Sequence, residues 1–377
     1  MQQTDTSHAG AILEVDLAAI RANWRQLATR LGPVACGAVV KADAYGLGAA
    51  AVVPALLAEG ARTFFTAHLD EALALAPLLP AEARLLVLNG LPAGAEADCA
   101  AAGILPVLNS LEQIAAQADL ARRLGRPLPA AVQVDSGMSR LGLDRRELDR
   151  LAETPDLLAG IDVKLVMSHL AVAERQDDPM NAAQRDRFAA ACRRLPAAPA
   201  SLANSAGIFL GPDFHFDLAR PGAALYGLAP VAGAPNPMRP VARLLARIIQ
   251  VRETRAGDTV GYGARWTAPG PRRIATVAVG YADGYLRSLS GRATAFAGGV
   301  PVPLVGVVSM DSATFDVTDA PAAVAGGFLE LIGPAPGADA DAVATAAGTI
   351  GYEILTALGR RYARRYLPAP QTERPAP

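Results

Sequence analysis

Cysteine is scarce in this chain, with three in 377 residues. Cys36, Cys99 and Cys192 are odd in number, widely separated and without a CxxC pair, which excludes a disulfide framework and a thiolate zinc site. Four histidines without metal-ligand spacing give no reason to expect a metal either. Net charge is nearly absent: 35 Lys and Arg stand against 36 Asp and Glu, a formal charge of −1, so the electrostatic footprint of a nucleic-acid or anionic-membrane binder is missing. No stretch reaches the roughly 18 consecutive apolar residues of a membrane helix. Residues 1–10 are polar with no basic-then-apolar signal pattern, so a cytoplasmic location is the expectation.

What the chain does have is burial capacity and alternation. Hydrophobic residues make up 51% and charged residues 19%. A chain this long exceeds one ordinary core, which points to a large domain of about 200–250 residues with a smaller one. From residue 34 to 225, eight short β-like runs (34–40, 63–67, 84–89, 104–108, 130–135, 163–169, 200–204 and 216–219) alternate with helix-like runs such as 69–79 and 111–124. Strands alternating with helices of this length imply right-handed crossovers and a parallel sheet, and eight such units close a barrel. An open doubly wound sheet is the rival, but no GxGxxG follows the first strand.

Residues 228–240, rich in Pro, Gly and Ala, read as a linker. Beyond it, runs at 247–254, 274–279, 303–308, 313–317 and 327–332 are separated by Gly, Pro and Asp turns, the texture of a mostly antiparallel β domain. Residues 339–358 look helical, and the Pro-rich residues 368–377 are expected to be disordered. The fold class is therefore α/β: an N-terminal (β/α)₈ TIM-type barrel with a C-terminal mostly antiparallel β domain.

The run Ala38-Val39-Val40-Lys41-Ala42-Asp43-Ala44-Tyr45-Gly46 delivers one lysine from the end of an apolar strand into a glycine-containing turn, which is the catalytic rim of such a barrel. Arg140 follows the fifth strand, His169 ends the sixth, Asn204 and Ser205 end the seventh, and Arg220 with Gly222 ends the eighth. Charged residues placed by chance would scatter over both ends of the barrel. These gather on one rim.

The chain resembles the bacterial alanine racemases over about residues 11–367. The motifs that carry the resemblance occur together and in order: Glu14-Val15-Asp16-Leu17, the Lys41 run, Ser136-Gly137-Met138-Ser139-Arg140-Leu141-Gly142, Ala203-Asn204-Ser205-Ala206, Arg220-Pro221-Gly222, Gly261-Tyr262-Gly263-Ala264, Gly280-Tyr281-Ala282-Asp283-Gly284, Met310-Asp311 and Tyr352-Glu353. The resemblance implies a barrel over 11–240 and a β domain over 241–367, which residues 1–14 could join by pairing. It implies pyridoxal 5′-phosphate as cofactor, joined to Lys41, with its phosphate held by the hydroxyls of Tyr45, Ser205 and Tyr352 and by backbone amides at Gly222 and Ala223. Arg220 would face the ring nitrogen, to which a guanidinium donates without giving up its proton. Racemisation through a planar carbanion needs a proton removed on one face and returned on the other. Lys41 and Tyr262 are implied for those roles, with His169 in the cofactor site touching that tyrosine. Arg140 and the backbone N–H of Met310 would hold the carboxylate of a small amino-acid substrate, with Asp311 close by and Tyr281 narrowing the entrance. Tyr262 would reach the barrel site of the other subunit, which implies a homodimer.

Three positions depart from the family pattern. Gln133 stands where many members carry a carbamylated lysine that orients the arginine matching Arg140, so a neutral amide or a bound anion is expected to hold Arg140 instead. Ser201 replaces a histidine that supports the arginine matching Arg220, and Leu47 replaces a histidine after the lysine motif. Interconversion of L- and D-alanine is the leading expectation. The alternatives are a racemase of serine or several small amino acids, a barrel-type decarboxylase with the same cofactor, and a non-catalytic cofactor carrier.

Overall fold

The computed structural model describes residues 6–367, so the expected disordered tail at 368–377 lies outside the described residues. Seven parallel strands stand side by side in chain order: Ala38–Val39, Thr63–Thr66, Arg84–Val87, Leu105–Leu108, Leu128–Gln133, Ile161–Met167 and Ala200–Ser201. A parallel neighbour requires a crossover, and helices such as Ala49–Glu59 and Leu111–Leu124 provide it. The helix Leu111–Leu124 keeps the boundaries expected for it, because Ser110 Oγ accepts from Gln113 N and Gly125 turns left-handed to end it.

The eighth strand, Leu218–Ala219, pairs with Ala35–Cys36 just ahead of the first. On its other side Asp217 N and Arg220 N donate to Ala200 O and Ala203 O at 3.0 and 2.8 Å. The ring therefore closes. The run expected as one strand at 34–40 is two short pieces divided at Gly37, whose N–H goes to Ala219 O at 2.9 Å. A Cβ at Gly37 would stand 3.0 Å from the Phe65 ring and 3.1 Å from Thr63 O. The strand that closes a barrel must serve both its last and its second neighbour, and here it changes partner at that glycine.

The remaining sheet has the order Arg272–Val277, Ala313–Asp316, Val300–Val305, Thr294–Ala297, Phe328–Ile332, Ala242–Thr254, Ala11–Asp16 and Ala363–Leu367. The long strand Ala242–Thr254 also pairs with Arg272–Val277, so the sheet curls onto itself. Ala11–Asp16 lies antiparallel to Ala242–Ala246 and parallel to Ala363–Leu367. The expected helix at 339–358 is two helices, Ala340–Ala347 and Gly351–Thr356, because Gly348 adopts a left-handed C-cap whose N–H returns to Ala344 O and Thr345 O. One apolar cluster runs from Phe64, Phe65 and Leu86 of the barrel wall to Leu244, Val277 and Leu329 of the β sheet. No helix among the described residues is long and apolar enough to cross a membrane.

Candidate active site

Lys41 opens a five-residue helical turn whose next four residues, Ala42, Asp43, Ala44 and Tyr45, all have φ between 52° and 57°. A left-handed turn without glycine costs roughly 1–2 kcal/mol per residue, so its surroundings must over-determine it. Inside the turn, Ala44 N donates to Val40 O at 2.9 Å and Gly46 N to Ala42 O at 2.7 Å. Asp43 Oδ1 accepts from Ala49 N at 2.7 Å. Glu71 accepts from Ala42 N at 2.5 Å and from Ala67 N and His68 N at 2.8 and 3.1 Å. Gly46 closes the turn against Leu355 O, where no Cβ has room. The consequence is that Lys41 and Tyr45 line one cavity.

Burial first, then Arg140 and Arg220, lower the Lys41 amine from its ordinary 10.5, while Glu71 opposes them. Only two lysines occur in the chain. The other, Lys164, is half-exposed and paired with Asp162 at 2.6 Å. Covalent capture of an aldehyde inside the cavity therefore has a single candidate.

Arg140 rides on a loop folded by its own first residue. Asp135 Oδ1 accepts from Gly137 N, Met138 N and Ser139 N at 2.8, 2.9 and 3.1 Å. Gln133 Nε2 donates to Leu141 O at 3.2 Å. Of the two expected supports for the guanidinium, a neutral amide or a bound anion, the Gln133 amide is instead spent on the neighbouring backbone, and Arg140 has no ion pair among the described residues. Arg140 lines the cavity.

Arg220 is buried, which lowers it to about 10 and still leaves it cationic at neutral pH. Nη1 donates to Ser201 Oγ at 2.5 Å and Nη2 to Ser168 O at 2.6 Å. Ser201 therefore does with a hydroxyl what the family pattern assigns to a histidine. His169 Nδ1 lies 3.4 Å from the same Nη2. Burial, then Arg220, Arg140 and Lys41, bring that imidazole from 6.5 down to about 3. Between those values the unfolded chain binds the proton and the folded chain does not. The contribution of His169 to stability is complete above pH 6.5 and is lost progressively as pH falls towards 3. His169→Gln should flatten the acid limb of stability by up to about 1 kcal/mol per pH unit, read from urea titrations between about pH 4 and 6. An unchanged limb would mean that the ring titrates as a solvated one.

Ser205 Oγ accepts from Gly222 N and Ala224 N at 3.0 and 3.2 Å. A Cβ on Gly222 would collide with the Tyr45 hydroxyl. The Tyr45 ring packs on Tyr226 at 4.7 Å and on Tyr352 at 6.0 Å between centroids, and Tyr226 Oη donates to Val39 O at 2.8 Å. Burial raises the phenols of Tyr45 and Tyr352, so both stay protonated donors. The cavity measures about 700 Å³, and Lys41, Tyr45, Gln133, Arg140, His169, Ser205, Arg220, Gly222, Ala223 and Tyr352 all line it. An amine with a lowered pKa, neutral donors around a glycine with no room for a side chain, and a buried cation on the neighbouring strand end, where Val39 N donates to Pro221 O at 2.9 Å, form a donor set that fits a phosphorylated aldehyde.

Four expected residues are not brought into this cavity. Tyr262 is 74% exposed, Met310 54% and Tyr281 43%, all on the β sheet's loops. Asp311 is paired with Arg361 at 2.7 Å. The loops bearing Tyr281 and Met310 are adjacent, since Tyr281 N donates to Ser309 O and Ala282 N to Met310 O, both at 3.0 Å. Glu71, Tyr226 and Gln184 were missed by sequence reasoning. Glu71 is the third residue of the helix Leu69–Leu75 and looks like any acidic first-turn residue, and nothing in the sequence separates the other two from core residues.

The "Alanine racemase, N-terminal domain" family model matches residues 15–230, and the "Alanine racemase, C-terminal domain" model matches residues 241–366. An alanine racemase from Brucella abortus is 53% identical over 374 residues, covering 95% of this chain and 94% of that one. One from Rhodospirillum rubrum is 54% identical over 361 residues, covering 95% and 96%. A crystal structure of alanine racemase from Bartonella henselae with covalently bound pyridoxal phosphate superposes with a TM-score of 0.91 at 44% identity, covering 95% of this chain and all of that one.

Proposed function

The chain belongs to the alanine racemase family and catalyses the pyridoxal-phosphate-dependent interconversion of L- and D-alanine, and we propose that Lys41 and Tyr262 exchange the proton at Cα from opposite faces. The observation that carries this reading is a single cavity lysine, its amine lowered by burial and by Arg140, sharing a cavity of about 700 Å³ with a buried arginine.

Pyridoxal phosphate, when bound, supplies an electron-withdrawing ring that acidifies the Cα–H of an amino acid joined to it. The chain's own residues supply placement. Lys41 is neutral more readily than a solvated lysine, so its amine can hold an aldehyde and, once released, take a proton. Tyr45, Ser205 and Tyr352, with the backbone at Gly222 and Ala223, would hold the phosphate. Arg220, a donor only, would meet the ring nitrogen and leave it unprotonated, with His169 beside it. Arg140 would take the substrate carboxylate.

The proposed domain division, 11–240 and 241–367, with Ala11–Asp16 paired into the second unit's sheet, puts Lys41 and Tyr262 on different units. We propose a homodimer in which the partner's Tyr262 and Met310 complete the site, with the partner's Tyr281 and Asp311 at its mouth. The exposure of Tyr262, Tyr281 and Met310 on one surface supports this, because large side chains left in water on neighbouring loops commonly mark an interface.

Exchange of the Cα hydrogen of L-alanine for deuterium, followed together with D-alanine formation, tests the reading. Carbon dioxide release without D-alanine would point to a decarboxylase, and colour without exchange to a carrier. L-serine assayed in parallel measures the breadth of the pocket. Gly222→Ala, whose methyl meets the Tyr45 hydroxyl, should weaken binding of the cofactor to the apo chain about tenfold, or roughly 1.4 kcal/mol, in a fluorescence titration. Unaltered affinity would remove Gly222 from the phosphate site.

A further inference from the structure

Gln184 lies in the helix Pro179–Cys192 with no surface exposed to solvent, and none of the cavity's walls includes it. Both of its Nε2 donors and its Oε1 are nevertheless engaged by the loops that carry the site. Oε1 accepts from Ala171 N at 2.9 Å. Nε2 donates to His169 O at 3.0 Å and to Ser136 Oγ at 3.3 Å. Ser136 in turn shares a 2.7 Å hydrogen bond with Ser168 Oγ, and both serines are buried.

The two ends of this network are the two arginines of the cavity. Ser136 follows Asp135 in the loop that carries Arg140, and Ser168 O is the acceptor of Arg220 Nη2. The Arg140 loop is rigid within itself, because Asp135 gathers three of its N–H groups. It also rests on the helix that bears Gln184: a Cβ at Gly137 would stand 2.7 Å from Arg187 Nη2 and 3.7 Å from Gln184 Cγ. Displacement of such a loop would be a movement of the whole unit about Ser136 rather than a loss of its internal fold. Asparagine is one methylene too short to span these groups, glutamate lacks the donors, and an apolar residue of equal size would leave Ala171 N, His169 O and Ser136 Oγ without this partner. A buried network of this kind holds its members fully or poorly, with little between.

We propose that Gln184 is a positioning residue for substrate recognition, locking the Arg140 loop to the His169 strand end so that the substrate carboxylate is held in register with Lys41. The inference rests on Arg140 as the carboxylate clamp. Its effect should fall on binding more than on turnover, because the network reaches Arg220 through the backbone carbonyl of Ser168, which keeps its place in the strand end, and does not touch Lys41 or the groups around Tyr45.

The experiment uses the cofactor-loaded protein and four variants: Gln184→Met, Ser136→Ala, the double variant, and Arg140→Met. Acetate, a carboxylate with no amine to react, is the probe in calorimetric titration. KM and kcat for alanine are measured alongside, and reductive labelling of Lys41 reports cofactor attachment. Gln184→Met and Ser136→Ala should each raise the acetate Kd and the alanine KM about tenfold, with kcat within about threefold and labelling unchanged. The double variant should be no weaker than the worse single one, since both changes open one ring. A lowered melting temperature with unaltered acetate Kd and KM would reduce Gln184 to packing, and additive losses would separate it from the Arg140 loop. If Gln184→Met fails to fold, Ser136→Ala decides the question alone. If Arg140→Met keeps acetate binding, the clamp reading and the inference fall together. If Arg140→Met loses it while the Gln184 and Ser136 variants keep it, only the inference falls.

Discussion

Lys41→Ala should yield a folded protein that carries no covalently held pyridoxal phosphate and racemises alanine at least about 10⁴-fold more slowly, because the change would delete the proposed anchor and general base together. The two-lysine composition makes the chemical half of this prediction unusually clean. After borohydride reduction and digestion, wild type should carry its label on the peptide containing Lys41, and the variant should carry none. Lys164 cannot substitute: it stands on the strand Ile161–Met167, largely in water, beside Asp162. Folding should survive, since the left-handed turn is held by backbone bonds and by Glu71, Asp43 and Gly46 rather than by the lysine side chain. Circular dichroism and thermal melting check that point. A labelled variant, or one that racemises at the wild-type rate, would dismiss Lys41 as the anchor.

Much of this arrangement was legible in the residues, and its limits follow from what periodicity can report. The barrel strands are short apolar runs between helices, each bounded by Pro or Gly, so their number and order could be counted before any coordinates. The pairing of Ala11–Asp16 with the β domain is expected from the family resemblance and not from the residues' own pattern. The partners of this strand, Ala242–Ala246 and Ala363–Leu367, lie more than two hundred residues away, and local alternation carries no trace of pairing at that distance. Lys41, His169 and Arg220 were legible because each ends a buried strand on the same rim. Glu71 and Gln184 were not, because their importance comes from backbone groups they accept from or donate to, and those groups have no signature in side-chain identity. The amide half of the Gln133 expectation is limited for a related reason: its position beside Arg140 is evident in the sequence, but the choice of Leu141 O over the guanidinium is a matter of loop geometry.

Tyr262→Phe should keep the cofactor on Lys41 yet slow racemisation by about 10²–10⁴-fold, the usual contribution of one positioned proton-transfer group. The origin of that group is the sharper question. A base must come within hydrogen-bond reach of the proton it takes, and in its own chain Tyr262 stands 74% exposed on a turn between left-handed Gly261 and Gly263, outside the cavity of Lys41. If the phenol serves a second subunit, two inactive variants must complement each other. Lys41→Ala and Tyr262→Phe chains, unfolded together and refolded as a mixture, form heterodimers in which one site carries both lesions and the other carries neither. Random reassortment puts half the molecules in that state, so the mixture should recover about a quarter of the wild-type rate although each parent alone is nearly inert. A site built within one chain has no such route, because every active centre in the mixture would retain one lesion. Recovery should also depend on total protein concentration, falling as dilution separates the subunits. A mixture no faster than the average of its parents would place Tyr262 outside the reaction of any neighbouring copy.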